Sequence, residues 1–158
     1  MARLTRPELE SLLDQHSPRW RAFAHLVALG EQDLTLEMPP RAELLRAGGT
    51  IAGPALMTLA DRAAYYLTLA LAGPIIEAVT AQLDIHFLAR AAPEPVVATA
   101  TMLRLGRRLA VSSVDLRSRE QLIARATVSY ALPPAGATGR SPTEEPTPGT
   151  VGTIPVRN

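Results

Sequence analysis

Apolar and polar residues alternate with two different periods along this chain, and the change of period marks the expected secondary structure. Near the N-terminus, Leu9, Leu12 and Leu13 fall on one helical stripe. Pro7 and an early acid stand at the start of that stripe, so a short amphipathic helix is predicted there. Residues 33–38 instead alternate polar with apolar side chains and stop at a Pro-Pro pair, which predicts a strand.

A long apolar run from Gly53 to Ala72 is the strongest signal in the sequence. Its second residue is Pro and the residue after its end is Gly, which is the asymmetry expected of an α-helix. Apolar side chains wrap most of the circumference, so the helix is expected to be buried. Asp61 and Arg62 interrupt the run, which leaves it short of the about 18 apolar residues that a membrane span needs.

Strand-like runs follow the helix in quick succession, at residues 81–88, 96–105, 109–116 and 122–130. In the first of them polar and apolar side chains alternate, so one face is expected to be wet. The order of one strand, one buried helix and four further strands predicts an α+β fold in which a curved antiparallel sheet wraps the helix.

The expected organisation has three parts. A helical segment is predicted over residues 1–30 and the main domain over residues 31–132. Residues 133–158 are rich in Pro, Gly, Ser and Thr and have almost nothing to bury, so a disordered tail is predicted there.

Composition narrows the chemistry that this chain can perform. It has 158 residues, a net charge of +1 and no cysteine, and its three histidines are isolated. Near-neutral charge argues against nucleic-acid binding, and the absence of cysteine excludes disulfides and thiol nucleophiles. No secretory signal is visible, so we expect a cytoplasmic protein with no metal cage built on histidines.

Three segments in this order resemble the PaaI-like acyl-CoA thioesterases of the hotdog fold. They are GPALMTLAD from Gly53, AVTAQLDIHFLAR from Ala78 and LRLGRRLAV from Leu103. The resemblance covers residues 34–132 and implies hydrolysis of small, medium or aryl acyl-CoA by a homodimer or a dimer of dimers. It implies no cofactor, since coenzyme A is part of the substrate.

The resemblance also implies site residues. Gly53 matches the Gly at the start of the family's helix, and Asp61 matches the carboxylate eight residues later. Thr80 matches the Ser or Thr that begins the next strand. The family's motif His, second Gly and water-holding Asn are replaced here by Ala52, Pro54 and Arg46.

These residue types suit thioester hydrolysis. The thiolate is a good leaving group because a thiol pKa is about 8.5. A helix N-terminus offers free N–H groups to a developing oxyanion, and Gly53 lets a ligand come close. Pro54 has no N–H, so the donor is expected to be Gly53, with Ala55 as a second candidate. Asp61 is then either the general base or the nucleophile.

The spacing of the two catalytic candidates predicts a shared site. Eight helical residues at about 1.5 Å each place Gly53 and Asp61 about 12 Å apart. One carbonyl needs its donor and its base within about 3 Å each. If both residues are catalytic, they must therefore come from two different subunits.

Other residues are candidates for substrate binding. Tyr65 lies one turn after Asp61, where it could hydrogen-bond the carboxylate, line the acyl pocket or simply pack in the core. Arg46 could pair with Asp61 of the partner chain. Since arginine suits phosphate geometry, we expect the phosphates of coenzyme A at Arg90, Arg107 and Arg108, although surface arginines near turns are common.

Two alternative functions remain open at this point. Loss of the family's His and Asn also fits a hotdog protein that binds acyl-CoA without turnover. A hotdog hydratase or dehydratase is a weaker alternative, since no Asp here is followed five residues later by His. His86 is a candidate base, but its place on a polar strand face is more typical of a solvated or interface histidine. Asp61 itself could instead be an interface ion-pair partner or a solvent-facing acid.

Overall fold

Three helices and six strands make up residues 3–134, the part of the chain that the computed structural model describes. The helices are α1 (Arg6–His16), α2 (Trp20–Phe23) and α3 (Gly53–Ala72), with a single 3-10 turn at Ala42–Leu44. The strands are β1 (His25–Leu29), β2 (Asp33–Met38), β3 (Val79–Phe87), β4 (Val96–Leu105), β5 (Leu109–Ser118) and β6 (Gln121–Ala131). The tail predicted over residues 133–158 lies, beyond Pro134, outside the described residues.

Helix α3 is the centre of the fold, as its sequence pattern predicts. It begins at Gly53, with Pro54 in its first turn, and ends at Ala72. Gly73 follows as the cap, and its φ of 106° allows the chain to leave the helix. Twelve of its twenty residues are buried, and it packs on five of the six strands. Its buried alanines share one core with small residues of β4 such as Ala98 and Ala100, and small side chains let a helix and a sheet approach closely. None of the helices in residues 3–134 is long and apolar enough to cross a bilayer.

The six strands form one antiparallel sheet in the order β1-β2-β4-β5-β6-β3. The predicted strand at 33–38 and the predicted strand at 96–105 are found with those bounds. The last two strands extend one or two residues beyond the predicted runs. Because β3 pairs only with β6 in the described chain, it is an edge strand despite its nine residues.

Strand β3 departs from the predicted pattern of one wet and one dry face. Only Leu83 and Ile85 are partly buried, and the other seven residues are exposed. Val79 at its start is 60% exposed and Phe87 at its end is 50% exposed. Polar and apolar side chains do alternate along β3, but in a single chain too few residues pack against this edge strand to bury its apolar face.

The N-terminal region also differs from the prediction, because the expected helical segment over residues 1–30 is helical only as far as Phe23. His25–Leu29 forms β1 and joins the sheet beside β2, so residue 30 lies in a hairpin rather than at a domain boundary. Strand β1 has a single buried side chain, Leu26, and therefore no alternation that a sequence could display. The predicted helix α1 is confirmed, with Leu9 and Leu13 buried in the common core.

Candidate active site

Asp61 projects from the middle of α3 towards the sheet and meets two hydroxyl donors there. The Thr80 hydroxyl donates to Asp61 Oδ1 at 2.9 Å, and the Tyr130 hydroxyl donates to the same oxygen at 2.6 Å. Thr80 on β3 and Tyr130 on β6 are directly paired across the two strands. The sheet register therefore aims both donors at one carboxylate oxygen.

The second carboxylate oxygen of Asp61 has no hydrogen-bond partner within residues 3–134. The Asp61 side chain is only partly buried, so this Oδ2 atom is the one available to water or to a substrate. An acid on a largely buried helix needs such donors, because an ionised carboxylate without them is costly to desolvate. Both side-chain donors to Asp61 come from the sheet, Thr80 from β3 and Tyr130 from β6.

Tyr130 is a site residue that sequence reasoning missed. It lies at the end of a strand rich in apolar residues, and there it resembles an ordinary core aromatic. Its side chain is almost fully buried and its ring stacks on Tyr65, with 5.4 Å between ring centroids. Burial, together with the hydrogen bond to the Asp61 carboxylate, holds the pKa of the Tyr130 phenol far above its usual range. The phenol consequently stays protonated, and donates to Asp61, at any pH at which proteins ordinarily remain folded.

Tyr65 does not hydrogen-bond Asp61, although that was one of its predicted roles. Its hydroxyl donates to the backbone carbonyl of Ile76 at 3.0 Å. Burial raises the pKa of the Tyr65 phenol, so this bond too is retained at neutral pH. The residue holds the segment after α3 and supports the ring of Tyr130.

Gly53 presents a free backbone donor at the start of α3. Its N–H has no acceptor in the described part of the chain. The N–H of Ala55 donates to the carbonyl of Ala52 at 3.0 Å, so the expectation that Ala55 joins Gly53 as an oxyanion donor is wrong for this structure. With no N–H on Pro54, the helix start offers the single backbone donor of Gly53.

The space in front of Gly53 is bounded by an aromatic ring. A Cβ atom on Gly53 would lie 3.4 Å from Cζ of Phe87. The glycine therefore lets a small group come between the helix start and the half-exposed ring. Gly53 also opens onto a cleft of about 450 Å³ whose lining includes Arg46, Leu56 and Arg90.

The four predicted arginines are divided between two ends of the molecule. Arg46 and Arg90 line the cleft at Gly53, and neither guanidinium is paired with an acid within residues 3–134. Arg107 and Arg108 line a different cleft, of about 500 Å³, near the C-terminal end of α3. One chain thus brings two of these arginines to Gly53 but not all four.

The two catalytic candidates are likewise separated within one chain. Because α3 is one continuous helix, the distance of about 12 Å between Gly53 and Asp61 stands. Gly53 lies beside Phe87, the last residue of β3, whereas Asp61 is bonded to Thr80, its second residue. The site consists of two halves at opposite ends of an exposed edge strand.

His86 is not part of either half. Its ring lies 3.3 Å from Asp84 on the outer part of β3, and both side chains are mostly exposed. This is the solvated or interface position that its sequence context favoured.

Comparisons with known proteins identify the family and the fold of the chain. The family described as the thioesterase superfamily matches residues 48–124, which include α3, Asp61 and Thr80. A candidate thioesterase from Silicibacter sp. TM1040 has a similar structure, with 30% sequence identity and a TM-score of 0.76. The match covers 85% of this chain and 95% of that one. No curated protein sequence matches the chain.

More distant structures share the same fold. A thioesterase from Haemophilus influenzae is 19% identical with a TM-score of 0.74, over 87% of this chain and 96% of that one. A mutant of the phenylacetic acid degradation protein PaaI from Thermus thermophilus is 24% identical with a TM-score of 0.65. That match covers 73% of this chain and 98% of the other. At these identities the similarity concerns the fold alone.

Proposed function

The chain belongs to the thioesterase superfamily and has its hotdog fold, and from this premise we propose that it hydrolyses acyl thioesters of coenzyme A. The observation that carries the proposal is the state of Asp61, with one oxygen held by two hydroxyls and the other free. A carboxylate that is fixed but not fully satisfied is suited to act on a bound substrate. A purely structural acid would be expected to use both oxygens.

In the proposed reaction, Asp61 Oδ2 takes a proton from a water molecule while the water oxygen bonds to the thioester carbonyl carbon. The carbonyl oxygen becomes an oxyanion and is stabilised by the N–H of Gly53. Collapse of this intermediate breaks the carbon–sulfur bond and releases the thiolate, which receives the proton from Asp61. The products are the free acid and coenzyme A.

Direct attack by Asp61 on the carbonyl is the alternative chemistry, and it forms an anhydride that water then cleaves. A single turnover in ¹⁸O-labelled water identifies the route through Asp61 when the anhydride is cleaved at the Asp61 carboxyl carbon. Attack by water puts the label in the released acid, whereas attack by Asp61, followed by hydrolysis at its own carboxyl carbon, puts the label in the protein.

The proposed site is completed by a second copy of the chain, since one chain cannot bring Gly53 and Asp61 to the same carbonyl. Two β3 strands pairing antiparallel would place the Phe87 end of one beside the Val79 end of the other. Gly53 of one copy would then face Asp61 of its neighbour. An exposed edge strand with apolar residues at both ends is suited to such pairing.

The same pairing would bring the arginines of the two clefts close together. Arg46 and Arg90 of one copy would approach Arg107 and Arg108 of the other, at the mouth of each shared site. We propose that this cationic rim takes the phosphates of coenzyme A, because guanidinium groups bind phosphate oxygens in a bidentate manner. The apolar part of the Gly53 cleft would accept a small, medium or aryl acyl group.

Release of free thiol from a panel of acyl-CoA esters tests the proposed activity. We expect turnover of at least one ester by the wild type and a loss of about 100-fold or more in Asp61→Asn. Asp33→Asn is the matched control, because Asp33 lies on β2, four strands away from β3, and is expected to leave the rate unchanged. No release from any ester, or equal rates for Asp61→Asn and wild type, contradicts the proposal.

Subunit complementation tests the shared site. Asp61→Asn and Gly53→Ala chains are each expected to be slow, but a mixed dimer has one site with both native residues. After subunit exchange, about a quarter of wild-type activity should return, because half of the dimers are mixed and each has one intact site. Absence of any recovery, with exchange verified by mass, rules out a shared site.

A charge on the edge strand tests the interface itself. Val79→Asp should shift the sedimentation coefficient to that of a monomer and abolish turnover. Val27→Asp is the control, since Val27 is 50% exposed on β1 at the opposite edge of the sheet. If the wild type already sediments as a monomer at assay concentration, the proposed pairing is wrong.

A non-catalytic acyl-CoA-binding protein is the second candidate. It is favoured by one observation, namely that the helix start has only one free backbone donor within the described residues. Tight binding of an acyl-CoA without release of thiol would establish it.

A further inference from the structure

Tyr130 is the most buried polar contact of Asp61. Its hydroxyl lies 2.6 Å from Asp61 Oδ1, a short distance that is typical of a hydroxyl donating to an ionised carboxylate. The same hydroxyl is 3.3 Å from the backbone carbonyl oxygen of Asp61. A single phenol oxygen thus contacts both the side chain and the backbone of the residue.

The ring of Tyr130 is itself held in place. It stacks on Tyr65, whose hydroxyl is anchored on the carbonyl of Ile76, and its backbone is paired with Thr80 in the sheet. The phenol therefore has little freedom to follow a moving carboxylate. A rigid donor fixes the rotamer of the group that it bonds.

We propose that Tyr130 is a positioning residue that, together with Thr80, locks Oδ1 of Asp61 and leaves Oδ2 as the reacting oxygen. This inference rests on the proposed thioesterase function, because it assigns the reacting atom of that same site. Tyr130 itself touches no substrate in this scheme and acts only through Asp61.

The two donors to Oδ1 differ in what they contribute. Thr80 lies on the exposed edge strand, where its hydroxyl can exchange Asp61 for water. Tyr130 is almost fully buried, and water cannot readily replace its hydroxyl. Loss of the phenol would leave a carboxylate oxygen with one donor fewer in a partly desolvated place, so the carboxylate would no longer be held in one orientation.

The expected consequence of Tyr130→Phe is a kinetic change of a particular kind. The ring and its stacking remain, so folding is retained, but the carboxylate loses one donor. We expect kcat to fall about 10- to 100-fold, the value of one hydrogen bond to a charged group, while KM changes little.

Matched variants separate positioning from general packing. Tyr66→Phe removes a hydroxyl from another core tyrosine, whose ring contacts Trp20, and should leave kcat and KM unchanged. Thr80→Val should cause a smaller loss than Tyr130→Phe, and Thr80→Ser should restore the rate because it keeps the hydroxyl.

A spectroscopic measurement does not depend on turnover. A hydroxyl proton in a short, buried hydrogen bond gives a downfield proton resonance in NMR. This resonance should be present in the wild type and absent from Tyr130→Phe, and it should shift in Asp61→Asn.

The outcomes are distinguishable. A wild type that releases no thiol overturns the proposed function, and with it the catalytic role of Tyr130. An active wild type whose Tyr130→Phe variant keeps its kcat overturns only the role of Tyr130. A fall in kcat in Tyr130→Phe that is matched by an equal fall in Tyr66→Phe identifies Tyr130 as a packing residue and also overturns the inference.

Discussion

Substitution of Gly53 by alanine adds a single methyl group at the point where the proposed oxyanion would lie. Within one chain that methyl group fits, since its Cβ would be 3.4 Å, 3.6 Å and 3.8 Å from three ring carbons of Phe87. These are ordinary van der Waals distances, and the backbone of Gly53 is not in the left-handed region. The folded state should therefore accept the substitution without strain.

The expected effect on stability is a small gain. A glycine-to-alanine change at an unstrained position lowers the entropy of the unfolded chain and is worth about 0.4–1 kcal/mol. For a domain of this size that corresponds to a rise in melting temperature of about 1–4 °C. Thermal unfolding followed by circular dichroism measures it.

The expected effect on catalysis has the opposite sign. An oxyanion must come within about 3 Å of the Gly53 N–H, and the added methyl group competes for that space. Because this N–H is the one free donor at the helix start in the described structure, the loss should resemble that of a whole oxyanion donor. We expect kcat to fall about 100-fold, which corresponds to about 2.7 kcal/mol of transition-state stabilisation.

The assay is release of free thiol from the best acyl-CoA ester, with kcat and KM determined separately. A Gly53→Ala protein that melts normally and turns over at the wild-type rate would refute the oxyanion role of Gly53. A variant that loses its fold would refute the packing argument built on the distances to Phe87.

Three further predictions concern the helix start, the cationic cleft and acid stability. Pro54→Ala restores an N–H beside Gly53 and should raise kcat by up to about tenfold, while lowering the free energy of unfolding by less than about 1 kcal/mol. A fall in kcat with the fold intact would count against a site in which Gly53 is the one oxyanion donor. Arg90→Met should raise KM for acyl-CoA but not for a short thioester that lacks the nucleotide, and equal effects on both would exclude phosphate binding. The Arg125 guanidinium, bonded to Asp115 at 2.6 Å, holds the pKa of that carboxyl below its usual range. Stability from this pair is thus present at neutral pH and is lost as the pH falls through the lowered pKa. Asp115→Asn should therefore lower the melting temperature at pH 7, and the melting temperatures of variant and wild type should converge in acid. A constant difference between them at all pH values would contradict this.

Local sequence signals were sufficient to predict the bounds of helices and strands whose ends are marked by proline or glycine. Helix α3 has the predicted bounds because Pro54 and Gly73 favour only one way to start and to leave a helix. Strand β2 has the predicted bounds because a Pro-Pro pair, which cannot donate to a sheet, follows it. Strand β1 was missed because it is short, has one buried residue and lacks such markers.

Only some residues of the candidate site could be predicted from the sequence. Spacing and resemblance pointed to Gly53, Asp61 and Thr80, and the helix rise alone implied that Gly53 and Asp61 serve different sites. Tyr130, in contrast, is 69 residues from Asp61 in the chain, and no motif around it indicates that its hydroxyl bonds a carboxylate. Its role depends on the pairing of β6 with β3, which is a non-local property.

The type and length of the main elements, and the chemical identity of the catalytic candidates, could thus be read from the order of residues, because they depend on neighbours in the chain. The folded molecule was needed to show which hydroxyls hold Asp61, that the Ala55 N–H is already used, and that the four arginines are split between two clefts. These outcomes depend on sheet register and packing, where a shift of one residue would turn Thr80 and Tyr130 away from the helix. Periodicity shows which residues face inward; the register of the folded sheet selects their partners.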